Sequence, residues 1–278
     1  MELLGKTRVV IKDGKVIEVG QSVVEWCPIF AKVHGIQRIT PEEVKKNIEF
    51  RISDFGMFTD RRQLMLEDFV GFGASEVMTT GLNRGLLDTT VTACEGAGTV
   101  ISNNPTLVQG IGGRMSGLIE TEPIDGIIKG ITERGGIVLD PSTAIIDPVA
   151  GVKKAAEHGY KKIAVTVASP GIARELRELE AELGLDLIVI GVHITGINKE
   201  EALTLLQNAD ITTSCASKNV RDLAKPLAQV GTAVPLFALT QKGKELVIER
   251  AKEVRSPILI ETASLPTLPE NKQPRELK

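Results

Sequence analysis

From Gly135 to Val254 the chain alternates short aliphatic runs with segments of helical periodicity, and few architectures accept that order. Ile137-Val138-Leu139 reads as a strand. Pro148 to His158 reads as a helix with Val149, Val152 and Ala156 on one face, and Ile163 to Ala168 as a buried strand. Ile172, Leu176, Leu179 and Leu183 then recur at helical spacing, Leu187 to Val192 forms the next strand, and Asn198 opens a helix. Asp210 to Thr213, a helix over about Ser217 to Ala224, a strand over Val234 to Ala238 and a helix from Gln241 complete the series. Such a β-α succession predicts a mostly parallel sheet with helices packed on it and right-handed crossovers.

The first half follows a different pattern. Thr7 to Ile11 and Val16 to Val19 flank Lys12-Asp13-Gly14-Lys15, and Asp-Gly between two β-branched runs predicts a hairpin. Thr40-Pro41-Glu42-Glu43 carries N-cap, first-turn proline and acidic third position, so a helix starts there and runs to about Arg51. A second helix is expected within Arg61 to Asn83, broken at Gly71 and Gly73, followed by strands over Leu86 to Ala93 and Gly98 to Ser102. Asn104 to Gly117 is ambiguous: Asn104-Pro105 starts a helix, whereas Gly110, Gly112, Gly113 and Gly117 favour a loop. The fold class expected is therefore α/β, with a mostly parallel sheet in residues 135–254, preceded by an α+β region over residues 1–134 that contains an N-terminal β-hairpin. Whether the two halves share one sheet stays open. Residues 255–278, with Pro257, Pro266, Pro269 and Pro274, form a partly disordered tail whose last dozen residues are expected to be poorly ordered.

Composition excludes some functions. A formal net charge of −3, a pI near 5.8 and 3% aromatic residues argue against a nucleic-acid partner. No apolar run reaches the roughly 20 residues that a membrane helix needs, and the segment from Met1 to Val10 lacks a signal-peptide core. The expected location is the cytoplasm. Three cysteines make no disulfide framework in a chain of 278 residues, so reduced thiols are expected.

Parallel strands gather their C-terminal ends at one edge, where open α/β folds place ligands. There the sequence reads Ala168-Ser169-Pro170-Gly171, His193-Ile194-Thr195-Gly196, Ser214-Cys215-Ala216-Ser217-Lys218 and Leu239-Thr240. Two readings stand side by side. Ser169, Ser217 and Thr240 are helix caps, or the edge is a polar crevice in which Ser169, His193, Thr195, Ser217 and Lys218 bind a small anion. His193 is read as a general base or ligand, or as a half-buried imidazole bonded to backbone. The run Gln109-Gly110-Ile111-Gly112-Gly113-Arg114 offers Gly112 and Gly113 for close backbone approach and Arg114 for a phosphate, or is a plain loop. Cys27, Cys94 and Cys215 are read as metal or iron–sulfur ligands, as buried hydrophobes, or, for Cys94 or Cys215, as a nucleophile near His193. Cys94, Ser169, His193, Cys215 and Ser217 are expected to converge on one rim, with residues 110–117 arching over it. Cys27 joins only if the N-terminal region folds back.

Several stretches carry a family resemblance. They are Thr7 to Val16, Cys27-Pro28-Ile29-Phe30, Ile48 to Met57, Gly96 to Val100, Leu107 to Arg114, Ala164 to Ser169 and Cys215-Ala216-Ser217-Lys218. Through them the chain to about Val254 resembles the methanogenesis marker protein 8 family, an archaeal group of undefined role. The resemblance implies a cytoplasmic accessory protein of methanogenic metabolism, related to a cofactor or to methyl-coenzyme M reductase. It brings no catalytic residue, and the cofactor stays unknown. Three functions are open: binding of a small anionic ligand at the strand ends, a non-catalytic assembly factor with a protein partner, and a metal or iron–sulfur protein. The pattern from Gly73 to Gly117 is also similar to flavoprotein subunits of deazaflavin-reducing hydrogenases, without their cluster-binding cysteine spacing.

Overall fold

A computed structural model describes residues 1–3, 6–67 and 70–275; positions 68–69, within the expected Arg61–Asn83 helix, and 276–278, in the expected tail, lie outside the described residues. The chain opens with strands β1 (Glu2–Leu3), β2 (Thr7–Lys12) and β3 (Lys15–Val19), paired antiparallel in that order. The β2–β3 turn is the Asp13-Gly14 turn, with both residues at positive φ as a tight hairpin requires. Helices α1 (Pro28–His34) and α2 (Pro41–Phe55) follow. Thr40 Oγ1 accepts the Glu43 amide at 3.3 Å, and α2 runs one turn past Arg51 to a left-handed Gly56. Val44 and Ile48 of α2 bury against Val9, Val24, Ile36 and Ile39, so this unit has its own small core.

Beyond it lies an eight-stranded sheet. In chain order its strands are β4 (Thr89–Cys94), β5 (Gly98–Ser102), β6 (Ile137–Val138), β7 (Lys162–Val167), β8 (Asp186–Gly191), β9 (Ile211–Thr213), β10 (Ala228–Val230) and β11 (Leu236–Ala238). Across the sheet the order is β10-β11-β9-β8-β7-β4-β5-β6. Strands β4, β7, β8 and β9 are parallel neighbours. Strands β5 and β11 run against them, and β6 and β10 run against those, so six strands share one direction. The halves on either side of residue 135 share this sheet. The strand expected at Val234 to Ala238 exists, but it is antiparallel, because the short β10 precedes it and forms a hairpin with it.

The helices of this layer are α3 (Ala74–Asn83), α4 (Pro105–Gly112), α5 (Asp125–Thr132), α6 (Pro148–Glu157), α7 (Pro170–Leu183), α8 (Lys199–Asn208), α9 (Lys218–Leu223) and α10 (Gln241–Ala251). Side chains of Asn104, Asp147, Asn198, Ser217 and Thr240 cap their helices, each a contribution of about 1 kcal/mol. Val152, Leu176 and Leu205 cover one sheet face over Val165 and Val189, while Val77, Val108 and Leu246 cover the other over Ala164 and Ile190. Burial on both faces is what a parallel sheet demands.

Two sequence expectations change here. Helix α3 is confined to Ala74–Asn83, with Gly73 as its N-cap, because the preceding segment is committed elsewhere. The glycine-rich run is helix α4 as far as Gly112 rather than loop. Its glycines allow contact: a Cβ on Gly110 would lie 1.9 Å from the Leu64 carbonyl oxygen, and one on Gly112 would lie 2.8 Å from the Ser75 Cβ.

One buried pair fastens that contact. Arg62, from the segment after α2, donates to the Glu95 carboxylate at the end of β4 at 2.5 Å, and both side chains are fully sealed. The same guanidinium donates to the carbonyls of Gln63, Gly110 and Ile111. Removing one member of such a pair leaves the other charge buried and uncompensated. Arg62→Leu is therefore expected to destabilise the fold by about 3–5 kcal/mol, read as a lower midpoint in urea denaturation. A midpoint equal to that of the parent chain contradicts the assignment.

Candidate functional site

The parallel strands deliver their C-terminal residues to one edge in the order Cys215, His193, Ser169 and Cys94–Glu95, after β9, β8, β7 and β4. The chain leaves β4 toward β5 and β6 and then returns to the opposite side as β7, so the direction of winding reverses between β4 and β7. That is where an open α/β sheet leaves a crevice. Two of the edge residues are kinked in the same way: His193 has φ 55 and Cys215 has φ 44. A left-handed backbone at non-glycine residues is uncommon and clusters at functional positions.

His193 combines two properties. Its side chain is exposed to water, yet protein surrounds it, and burial together with the nearby Arg51 charge pulls its pKa down to about 4. Its imidazole is neutral at pH 7. Arg51, on α2, lies close enough to act on His193. It is half-buried, and burial, with the neighbouring Arg114 charge, lowers its pKa to about 10, while Glu95 acts in the opposite sense. Arg51 Nη1 donates to the Arg114 carbonyl and to Ser116 Oγ, each at 2.8 Å. Its other guanidinium donors have no hydrogen bond among the described residues, and it makes no ion pair among them.

Arg114 lies with its guanidinium 4.1 Å from the centre of the Phe55 ring, a cation–π contact. His34, at the end of α1, stacks on Phe30 with ring centres 5.7 Å apart. Its pKa is lowered by burial and by the charges of Arg51 and Arg114. Two arginines and two imidazoles thus face one region, and Glu95, the carboxylate closest to them in effect, is held by Arg62.

The N-terminal unit folds back over the edge of the sheet. Cys27, Phe30 and Ala216 all pack on the small core of that unit, and the Cys27 thiol, raised chiefly by burial, also feels Cys215. The amides of Ile29 and Phe30 act against that rise. Cys215 Sγ lies 3.2 Å from Thr213 Oγ1. Thr195 Oγ1 accepts the Ala216 amide at 3.4 Å, which links the loops after β8 and β9.

The remaining sequence candidates divide. Ser217 is buried and caps α9 through the Val220 amide, and Lys218 is exposed beside it. Ser169 is half-buried at the N-terminus of α7 and makes no capping bond there. Gly112 and Gly113 approach Ser75 and Gln109, contacts within the protein. Cys94 is sealed in the core with Val100, Leu107 and Ile127, donates its thiol hydrogen to the Glu95 carbonyl, and is raised well above the usual thiol range by burial. Among the described residues no group of three or more His, Cys, Asp or Glu is arranged to hold a metal ion.

Sequence reasoning missed Arg51, His34 and Ser116. Arg51 carried one readable signal: it stands seven residues after Val44 and three after Ile48, on the apolar stripe of α2, where a charge needs a partner. Other concave places lie away from this edge. A groove of about 490 Å³ between α6 and α7, lined by Lys153, Tyr160, Leu179 and Leu183, opens at the opposite end of the strands. No helix among the described residues is long and apolar enough to cross a membrane.

The chain matches, over residues 1–252, a family described as "Uncharacterized protein conserved in archaea (DUF2099)". It is 46% identical over 280 residues to "Uncharacterized protein MJ0054" of Methanocaldococcus jannaschii, with 100% of this chain and 98% of that relative covered. Matched over nearly its whole length on both counts, the chain belongs to this archaeal family.

Proposed function

We propose that this protein binds a small anionic ligand in the recess at the C-terminal ends of β8 and β9. The observation that carries the reading is Arg51: a desolvated guanidinium beside a second arginine, with no ion-pair partner among the described residues. Buried charges are ordinarily paired, and two like charges repel. A ligand carboxylate, sulfonate or phosphate placed between Arg51, Arg114 and His193 relieves both costs through charge-assisted hydrogen bonds. Thr195 Oγ1 holds the Ala216 amide, and Ser169, Ser217 and Lys218 lie in the loops at the same strand ends.

The biological setting we propose is a cytoplasmic accessory role in methanogenic metabolism, directed at a cofactor or at methyl-coenzyme M reductase. The resemblance to the methanogenesis marker protein 8 family supports it. A second reading, an assembly factor with a protein partner, draws on the tail after α10, where Ile258, Leu259 and Ile260 are 43%, 82% and 83% exposed. The reading as a three-cysteine metal protein draws no support from the geometry, since Cys27, Cys94 and Cys215 pack on three different cores.

Thermal shift against phosphate, sulfate, phosphorylated metabolites and methanogenic coenzymes tests the main reading. A ligand at 100 times its Kd stabilises the native state by about 2.7 kcal/mol. Arg51→Gln removes charged hydrogen bonds of about 1.5–3 kcal/mol and is expected to weaken binding by about 10- to 100-fold. A panel with no stabilising anion, or equal affinity in Arg51→Gln, sinks the proposal.

His193 gives an independent readout. Its folded pKa of about 4 lies below the ordinary histidine value of about 6.5. Between those values the unfolded chain binds more protons than the native one, so ligand-free stability falls as pH drops through that window. His193→Asn is expected to flatten this fall. A bound anion acts in the opposite direction and raises the His193 pKa, which NMR titration of the imidazole detects. A titration unmoved by saturating anion would place the ligand elsewhere.

A further inference from the structure

The helices that cover one face of the sheet stop short of its C-terminal rim. Val77, Val108 and Leu246 seal Ala164, Ile188, Ile190 and Ile211. Side chains alternate along a strand, so the next residues outward on that face are Thr166 in β7, Ala168 just after it, Val192 after β8 and Thr213 in β9. Thr166, Val192 and Thr213 are half-buried, and Ala168 is exposed. Central parallel strands are ordinarily covered on both faces, so these residues form an open floor on three neighbouring strands. The Thr166 hydroxyl donates to Thr92 Oγ1 at 3.2 Å, which commits its one hydrogen. It keeps acceptor capacity only, which suits an O–H group and disfavours a phosphate or carboxylate oxygen. Ala168 and Val192 beside it offer carbon alone. The arginines stand at the same end of the same face. Helix α4, which carries Val108, finishes at this rim, because Arg62 binds Glu95 at the end of β4 and the carbonyls of Gly110 and Ile111 at once. Arg114 lies just past α4, and Arg51 donates to its carbonyl at 2.8 Å. The Arg51 charge also acts on His193, the neighbour of Val192.

We propose that the ligand of this site is a phosphorylated sugar, with its phosphate on Arg51 and Arg114 and its hydroxyl-bearing body on the floor of Thr166, Ala168 and Val192. This rests on the anion-binding reading and names its substrate class. A sugar phosphate joins the two chemistries found at this rim: an anion for the guanidinium groups and O–H donors for the Thr166 oxygen. The C–H face of the sugar lies against Ala168 and Val192, whose small side chains allow close approach. A bare anion uses the arginines alone, and an alkyl phosphate gives Thr166 no donor.

Isothermal titration calorimetry on the full chain compares ribose 5-phosphate, butyl phosphate, inorganic phosphate and ribose in separate arms. Ribose 5-phosphate is expected to bind about tenfold tighter than butyl phosphate, as one or two added hydrogen bonds give. Thr166→Val keeps the shape of the side chain and removes the acceptor, so it should bring ribose 5-phosphate to within about threefold of butyl phosphate. Ala168→Phe demands no room in the core, because Ala168 is exposed. It should block the floor and weaken ribose 5-phosphate by about tenfold or more. Equal affinity for ribose 5-phosphate and butyl phosphate, or a ribose 5-phosphate affinity unchanged in Ala168→Phe, overturns the sugar class. If inorganic phosphate and butyl phosphate still bind in that case, and bind more weakly to Arg51→Gln, the sugar class alone has failed. Binding of none of the three phosphates, or of ribose as tightly as its phosphate, means that the anion reading itself has failed.

Discussion

The sealed pair of Arg62 and Glu95 fixes how the two parts of this protein meet. Neither charge reaches water, so the pair holds only because its geometry is complete: the guanidinium also satisfies the carbonyls of Gln63, Gly110 and Ile111. Those partners belong to the segment after α2, to the end of β4 and to α4. Their fixed separation places the end of α2, with Arg51, over the strand ends, and sets the residues after α4, with Arg114 and Ser116, against it. The glycine at position 110 is a condition of that arrangement, since any side chain there would collide with the backbone at Leu64.

This arrangement has an electrostatic consequence. Glu95 is neutralised by Arg62, so only part of its field reaches Arg51. Arg51 and Arg114 then face each other with His34 and His193 held neutral by the same surroundings. Keeping like charges together in a desolvated place costs stability. The left-handed kinks at His193 and Cys215 add local strain in the same place.

Much of the sheet was legible because its determinants are local. Periodicity marks β7, β8 and the helices α6, α7, α8 and α10, and the capping residues of α2, α8 and α10 mark their starts. Strand β10 was not legible, since Ala228-Gln229-Val230 has no alternating pattern and is defined by pairing with β11. Helix α4 was obscured by glycines that serve tertiary contact, which single-sequence propensity counts as loop signals. His193, Thr195 and Cys215 could be placed on one edge from strand order alone. Arg51 could not, because its relation to that edge depends on how the N-terminal unit docks, and nothing local to α2 encodes docking.

The same limit applies to the contacts made by the described part of the tail, residues 255–275. The side-chain amide of Gln229 in β10 donates to the Thr267 carbonyl at 2.7 Å and accepts the Thr267 amide at 2.8 Å. Gln273 donates to the Thr232 carbonyl at 2.6 Å, and the Arg275 amide donates to the Trp26 carbonyl at 3.1 Å. The tail therefore meets β10 through the Gln229 side chain and then crosses to Trp26, the residue beside Cys27. It ties the sheet to the N-terminal unit. Each of these bonds joins residues distant in sequence, so each depends on the assembled fold. The docking of the N-terminal unit on the sheet is a property of the assembled fold and of no single segment in it.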